Sequence, residues 1–132
     1  MAIDDELTYK IIGCAIEVHK TMGNGFQEVV YQRSLAIELQ NAGLLFEREI
    51  EQTLFYKSFD VGSRRADFIV GGKVVVELKA VVKLEDVHLA QAKNYLVAYN
   101  YDIGLLLNFG SASLEYKRIF KSTKSPIQTI KS

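Results

Sequence analysis

The residues with the clearest chemical potential follow an apolar stretch, where Glu77 and Lys79 come after three consecutive valines at 74–76. Such a strand is typical of the centre of a sheet, and side chains two residues apart on a strand point to the same face. Asp67 lies in the preceding apolar run, across a two-glycine turn. Because paired strands lie about 5 Å apart, the sequence predicts that two carboxylates and one ammonium converge on a buried sheet.

The length of the turn decides which residue faces Asp67. A loop of the two glycines alone sets Asp67 opposite Val76, whereas a loop that also includes Lys73 sets it opposite Glu77. The sequence leaves both registers open. In either register the two carboxylates lie close to each other on the same pair of strands.

Burying two like charges is unfavourable unless another charge offsets them. A divalent cation does so, since two carboxylates with water and a phosphate oxygen form a hard-oxygen site suited to Mg²⁺ or Mn²⁺. The ammonium of Lys79 then orients or deprotonates the water, or stabilises charge that develops on a phosphate. An alternative stays open, in which Glu77–Lys79 and Asp67–Arg65 are ordinary surface ion pairs.

Two helical segments carry further candidate side chains. Glu28, Tyr31 and Leu35 recur at helical spacing after a glycine-rich break, which predicts that Glu28 faces inward with the apolar stripe. Its alternative role is to complement the helix dipole in a first turn. Gln91 and Tyr95 lie one helical turn apart, and this pair can hold water, a phosphate oxygen or a base. An amphipathic helix with a polar rim is the alternative for that pair.

The elements that must position these side chains follow from periodicity and glycine breaks. The pattern predicts a mixed sheet flanked by helices, in the order ααβββαββ. The predicted bounds are helices at about 4–22, 27–41 and 88–99, and strands at 46–56, 66–70, 74–79, 103–107 and 114–120. Residues 61–63 are predicted to form a turn, as are the glycines at 71 and 72.

Composition limits the function classes. The 132 residues predict one domain at 1–120 followed by a polar basic tail at 121–132. Equal numbers of basic and acidic residues, 16 each, exclude a strongly basic nucleic-acid coat and a polybasic membrane binder, but not a local basic groove. One cysteine, Cys14, cannot form an internal disulfide or a cysteine-based zinc site alone. With an acidic N-terminus and no long apolar run, the expected location is cytoplasmic.

The ordered set of Asp67, Glu77-Leu78-Lys79 and Gln91-x-x-x-Tyr95, with Glu28 upstream, resembles the PD-(D/E)xK nuclease superfamily. Gly25-x-x-Glu28-x-x-Tyr31 is similar to the signature of its small bacterial branch, named GxxExxY. The resemblance extends from about residue 9 to residue 120, with Ala66 where the superfamily name has proline.

This resemblance implies a restriction-endonuclease-like fold and a Mg²⁺- or Mn²⁺-dependent nuclease that acts on DNA or, as a second choice, RNA. Asp67 and Glu77 would bind the metal with the Leu78 carbonyl, Glu28 would complete its shell, Lys79 would lie beside the attacking water, and Gln91 would support the site. Products would carry a 5′-phosphate.

Other residues receive secondary assignments. Tyr95 is the tyrosine expected to touch substrate, and Arg64, Arg65 and Lys93 flank the site as phosphate-binding candidates. His19 is a candidate substrate contact, with a cap interaction at a helix C-terminus as the alternative, and His88, at the start of the third helix, is a candidate to approach the metal end of the sheet.

The competing hypothesis is a non-catalytic nucleic-acid- or protein-binding module that retains the fold. A nuclease this small is expected to take its specificity from a homodimer or a protein partner. The phenylalanines at 26, 55 and 59, in or near predicted turns and edges, would serve such an interface if exposed, and the alternative is that they belong to the core.

Overall fold

The computed structural model describes residues 3–121, and side chains from residue 6 onward. Three helices and five strands follow the predicted order. They are α1 (Ile3–Met22), α2 (Glu28–Asn41), β1 (Phe46–Tyr56), β2 (Phe59–Val70), β3 (Val74–Lys79), α3 (Asp86–Tyr99), β4 (Ile103–Asn108) and β5 (Glu115–Phe120). The predicted tail at 121–132, Lys121 apart, lies outside the described residues. No helix within 3–121 is long and apolar enough to cross a membrane.

The five strands form one mixed sheet in the order β1-β2-β3-β4-β5, which confirms the predicted fold class. β3 and β4 are parallel and are joined by α3, whereas the other neighbours are antiparallel. α1 and α2 pack on one face, against side chains such as Phe68 and Val76. α3 packs on the other face, against Val75 and Leu106. β3 is therefore the central, fully covered strand that its valines predict.

The predicted turn at 61–63 is wrong, because those residues belong to β2. The β1–β2 turn lies instead at Lys57 and Ser58, which adopt left-handed φ angles of 48° and 74°. Gly62, with φ 140°, lies at a register shift in the hairpin, and Asp60 accepts a hydrogen bond from its N–H. A glycine that marks a bulge within a strand has the same sequence signature as a glycine that marks a turn.

The turn between β2 and β3 resolves the register that the sequence leaves open. Val70 pairs with Val74, so the loop contains three residues, including Lys73. Both glycines of the loop have positive φ, 62° and 67°. Continuing this register places Asp67 opposite Glu77.

Candidate active site

The site lies where β2 and β3 separate. Their ladder contains three residue pairs and ends at Phe68 and Val76. Beyond that point β2 stays paired with β1, and β3 stays paired with β4 as far as Lys79. The sheet therefore forks, and Asp67 and Glu77 are the first residues beyond the last pair. A fork leaves main-chain groups without ladder partners, and polar side chains must satisfy them.

Asp67 fills this fork and is held from two sides. Its Oδ2 accepts a hydrogen bond of 2.8 Å from the Leu78 main-chain N–H, and its Oδ1 accepts one of 2.8 Å from Gln32 Nε2. Gln32 is buried in α2 and accepts a hydrogen bond of 3.3 Å from Arg48. Burial raises the pKa of Asp67, while these two hydrogen bonds and Arg64 act in the opposite direction. Asp67 is thus fixed in orientation by β3 and α2 together.

Glu77 is buried and forms an ion pair with Arg64, whose Nη2 lies 2.7 Å from Glu77 Oε1. The Arg64 guanidinium also lies over the Tyr95 ring, with its carbon 4.6 Å from the ring centroid. Desolvation and the charge of Asp67 raise the pKa of Glu77 to about 7, although Arg64 lowers it. Arg64 and Lys79 therefore compensate the burial of Glu77 incompletely.

The polar atoms around this ion pair are incompletely satisfied. Within the described part of the chain, three buried side-chain atoms lack a hydrogen-bond partner, namely Arg64 Nε, Glu77 Oε2 and the Tyr99 hydroxyl. Tyr99 belongs to the same cluster, because the charges of Glu77 and Arg64 both act on its pKa, which burial raises. Buried polar groups in proteins are normally paired. Three unpaired atoms in one cluster therefore indicate a candidate ligand-binding site.

Glu28 is the first residue of α2 and lies at the open side of the site. The prediction that it faces inward with Tyr31 and Leu35 is wrong: Glu28 is exposed, whereas the other two are buried. Its pKa is raised by partial burial of the carboxyl and by Asp67, while Lys79 and Arg64 lower it. The exposure shows that solvent reaches Glu28, which lines the same cleft as Asp67 and Arg64.

The glycine–glutamate–tyrosine spacing has a local structural reason. Gly25 has a φ of 109°, which a residue with a side chain rarely adopts. The Tyr31 hydroxyl donates a hydrogen bond of 2.6 Å to the Gly23 carbonyl and accepts one of 3.1 Å from the Phe26 N–H. Its ring stacks on Phe109 at 4.7 Å. Gly25 forms the turn, Tyr31 closes it, and the start of α2 that carries Glu28 is held in place.

Two cavities flank the fork. A cleft of about 310 Å³ on the α2 side is lined by Glu28, Gln32, Asp67 and their neighbours. A narrower cavity of about 10 Å³ on the α3 side is lined by Glu77, Lys79, His88, Gln91, Ala92, Tyr95 and Leu106. Arg64 lines both cavities. The structure thus brings Glu77, Lys79, Gln91 and Tyr95 together on one side, and Glu28 and Asp67 on the other, with Arg64 between them.

The remaining candidates lie further out. Arg65 lines the rim of the larger cleft, and its guanidinium lies 3.4 Å from Glu49 and 4.0 Å from Glu51. Lys93 is exposed on α3 and lines neither cavity. His19 forms a hydrogen bond of 2.9 Å with the Ser111 carbonyl, which explains it as a contact between α1 and a loop.

His88 takes a helix-end role while also lining the smaller cavity. Its Nδ1 accepts a hydrogen bond from the Glu85 N–H in a capping box at the start of α3. The ring therefore has a structural partner at the N-terminus of the helix.

The donor set fits one partly hydrated divalent cation better than a closed protein cage. Among residues 3–121, no three Asp, Glu, His or Cys side chains are grouped closely enough to hold a metal ion. Mg²⁺ requires less than that, because it keeps several waters and binds through one or two carboxylates plus substrate phosphate. Asp67 and Glu77 supply two carboxylates, and Glu77 Oε2 is a buried oxygen without a partner.

Three residues of the cluster were not identified as site residues from the sequence. Arg64 was expected only to flank the site, and neither Gln32 nor Tyr99 was expected to take part. The sequence does contain an indication for Gln32, because Gln32 lies one helical turn after Glu28 and therefore on the same face of α2. Tyr99 likewise lies one turn after Tyr95, and their rings stack with centroids 6.1 Å apart.

Solved structures that resemble the chain include the following two. The crystal structure of SSO0001 is 18% identical, with a TM-score of 0.58, and the match covers 78% of this chain and 54% of that one. An alkaline exonuclease (LHK-Exo) from Laribacter hongkongensis is 11% identical, with a TM-score of 0.47, covering 82% of this chain and 76% of that one. The chain thus spans about half the length of SSO0001.

No curated protein matches the chain. The chain does match one protein family, the PD-(D/E)XK nuclease superfamily, over residues 5–119. Members of this superfamily generally use divalent metal ions and act on nucleic acids. With the forked sheet and its two carboxylates in place, the match over most of the chain shows that this protein belongs to the PD-(D/E)XK nuclease superfamily.

Proposed function

We propose that the protein is a divalent-metal-dependent nuclease that hydrolyses phosphodiester bonds of DNA, with RNA as the second choice of substrate. The observation that carries the proposal is the arrangement of Asp67 and Glu77 at the fork. The half-buried carboxylate of Asp67 and the buried carboxylate of Glu77 are the first side chains beyond the last β2–β3 pair, and one oxygen of Glu77 lacks a partner. Family membership supports nuclease chemistry at this place.

In this proposal Asp67 and Glu77 hold Mg²⁺ or Mn²⁺, and Glu28 contributes from the open cleft. The bound cation supplies a Lewis acid and lowers the pKa of a coordinated water. The chain's own contribution is orientation, because Gln32 and the Leu78 N–H fix the Asp67 carboxylate before any ligand arrives.

Lys79 is the proposed proton-handling and charge-stabilising group. It is half-buried, lines the smaller cavity, and forms no salt bridge within residues 3–121. Its charge lowers the pKa of Glu28, Asp67 and Glu77, which supports this assignment. An ammonium in that position is suited to holding the attacking water or stabilising charge that develops on the scissile phosphate.

The α3 face and the cleft rim would bind the substrate. Gln91 and Tyr95 line the smaller cavity, and the amide of Gln91 is suited to hold water or a phosphate oxygen. We assign Arg65 and Lys93 to phosphate binding outside the cavity, where both are exposed. Exposed cations of this kind contribute mainly non-specific, salt-dependent affinity.

The test is a cleavage assay on linear and circular DNA and on RNA, with Mg²⁺ or Mn²⁺. Glu77→Gln and Asp67→Asn should each reduce the cleavage rate by roughly 100-fold or more, since even outer-shell partners of a metal cost 10–100-fold. Glu47→Gln is the matched control, because Glu47 is exposed on β1 and should leave the rate unchanged. Equal rates in the wild type and Glu77→Gln would remove the catalytic assignment.

A non-catalytic binding module is the second candidate, and one observation favours it. Arg64 already places a positive charge against Glu77, which is the position that a metal would need to reach. If the Arg64–Glu77 ion pair persisted under all conditions, the protein would retain the fold but would not bind a divalent cation at this site. Calorimetry with Mn²⁺ separates the two candidates: binding that Asp67→Asn abolishes supports the enzyme, and no binding supports the module.

We also propose that the chain belongs to the GxxExxY branch and forms a single domain over 1–120. The turn closed by Gly25 and Tyr31 supports the branch assignment. A homodimer or protein partner is proposed as the source of specificity, and Phe26, Phe55 and Phe59 are 47%, 50% and 72% exposed. Sedimentation of the wild type beside Phe55→Ser/Phe59→Ser tests that assignment.

A further inference from the structure

We propose that Arg64 is an intramolecular counter-ion that competes with the divalent cation for Glu77, so that cation binding requires the guanidinium to leave this carboxylate. The inference rests on the proposed function, because it concerns the same site. It assigns Arg64 a positioning role in the metal-free protein: Arg64 holds Glu77 and keeps the two halves of the site apart.

The first argument is location. Arg64 extends from β2 into the fork, where its guanidinium contacts Glu77 on β3 and the Tyr95 ring on α3. It is also the residue that lines both cavities, the cleft containing Asp67 and the narrow cavity containing Lys79. A charge in that position separates the two carboxylates that a shared cation must contact together. Withdrawal of the guanidinium is therefore required before Asp67 and Glu77 can share a ligand.

The second argument is the quality of the ion pair. An arginine that holds a carboxylate well usually forms two parallel hydrogen bonds. Here one nitrogen of Arg64 contacts one oxygen of Glu77, and both Arg64 Nε and Glu77 Oε2 are buried without partners. Incomplete pairing leaves part of the desolvation cost of both charges uncompensated. Such a pair is stable enough to order two side chains and weak enough for a divalent cation to replace it.

The third argument is that Arg64 has a position to which it can withdraw. Its contact with Tyr95 does not depend on Glu77, and attraction between a cation and an aromatic ring persists when the carboxylate is lost. On the other side, the larger cleft is open to solvent, which hydrates a guanidinium at little cost. The side chain of Arg64 is 31% exposed and that of Glu77 is 7% exposed, so Arg64 is the partner that can move.

The test begins with calorimetric titration of Mn²⁺ into the wild type, Arg64→Gln and Arg65→Gln at pH 8. Arg65→Gln is the matched control, because it removes the same charge from the adjacent residue, which contacts Glu49 and Glu51 instead. We expect Arg64→Gln to bind Mn²⁺ at least tenfold tighter than the wild type. We expect the affinity of Arg65→Gln to stay within about threefold, since exposed charges interact weakly through water.

A second measurement uses the wild type alone, so it does not depend on the folding of any variant. In the ¹⁵N NMR spectrum of the metal-free wild type, the Arg64 Nε–H signal should be protected from exchange, and it should shift and lose that protection when Mg²⁺ is added. A purely structural ion pair would leave the signal unchanged. Cation binding with an unchanged Arg64 signal, or equal Mn²⁺ affinities in wild type and Arg64→Gln, would overturn the competition while leaving the proposed nuclease intact. Absence of Mn²⁺ binding by both proteins would overturn the proposed function and this inference together.

Discussion

Two adjacent parallel strands, β3 and β4, each carry a buried polar side chain near their ends. The two side chains differ in how many of their polar atoms have hydrogen-bond partners. Asn108 is completely buried at the end of β4. Its Oδ1 accepts hydrogen bonds from the main-chain N–H groups of Val81 and Gly110, at 2.9 and 3.1 Å. Its Nδ2 donates to Glu115 at 2.8 Å. Glu77 on β3 has one good partner, Arg64, and one oxygen with none.

The difference separates a side chain whose polar atoms are all paired within the chain from one with an unpaired carboxylate oxygen. Asn108 joins the loop after β3 to the loop after β4, so its polar atoms are occupied by the chain itself. Gly110 shows how tightly those loops meet, because a Cβ there would lie within 2.6 Å of the main chain of Ala80 and Val81. At Glu77, by contrast, only one of the two carboxylate oxygens has a hydrogen-bond partner. Unsatisfied polar groups of this kind occur at functional sites, where the cost is offset by ligand binding.

Among the substitutions that test this contrast, Asn108→Ala should have the largest effect, which is a loss of folding stability. The substitution leaves the part-buried N–H groups of Val81 and Gly110 without their acceptor, which we expect to lower the free energy of unfolding by roughly 2–4 kcal/mol. Urea unfolding followed by circular dichroism measures this loss. Asn94→Ala, at an exposed position on α3, is the control and should change stability by less than about 0.5 kcal/mol. A loss as small as that of the control would show that Asn108 does not hold the two loops together.

A smaller effect, in activity rather than stability, is expected from Gln32→Ala. Gln32 donates a hydrogen bond to Asp67. If Asp67 binds the cation as proposed, loss of Gln32 should lower the cleavage rate by roughly 10–100-fold, which is the cost typical of residues that orient metal ligands. Gln40→Ala, at an exposed position on the same helix, should leave the rate unchanged. If Gln32→Ala lowered stability but not the cleavage rate of the folded protein, Gln32 would belong with Asn108 and not with the site.

Much of this arrangement could be predicted from the sequence. The order of the elements and the common face of Glu77 and Lys79 follow from periodicity, because side chains alternate on strands whatever the register. The register between Asp67 and Glu77 could not be fixed. It depends on whether Lys73 belongs to the turn, which both glycines permit through their positive φ angles.

The Arg64–Glu77 ion pair could not be predicted, for a related reason. Residues 61–63 have turn composition, so β2 was expected to begin at Ala66, and no direction could be given to Arg64. In the structure β2 begins at Phe59. Arg64 therefore lies on this strand, near the point where the sheet forks. The exposure of Glu28 was missed because helical periodicity treats the first turn like any other, whereas here that turn overhangs an open cleft.

The smallest expected effect is a pH dependence that distinguishes Glu77 from Asn108. Because the pKa of Glu77 is raised from 4.5 to about 7, the folded protein binds a proton more tightly than the unfolded chain. The stability that this provides is fully present below pH 4.5 and is lost as the pH rises through about 7. Urea unfolding of the metal-free protein should therefore show wild type losing stability relative to Glu77→Gln across this window. Between pH 4.5 and 7, Asn108→Ala should lower stability by a nearly constant amount, because the amide does not titrate and its partner Glu115, whose pKa the Asn108 hydrogen bond lowers, stays ionised in this window. A constant difference between wild type and Glu77→Gln would mean that Arg64 compensates the Glu77 charge fully, and the contrast between the two strand ends would then fail.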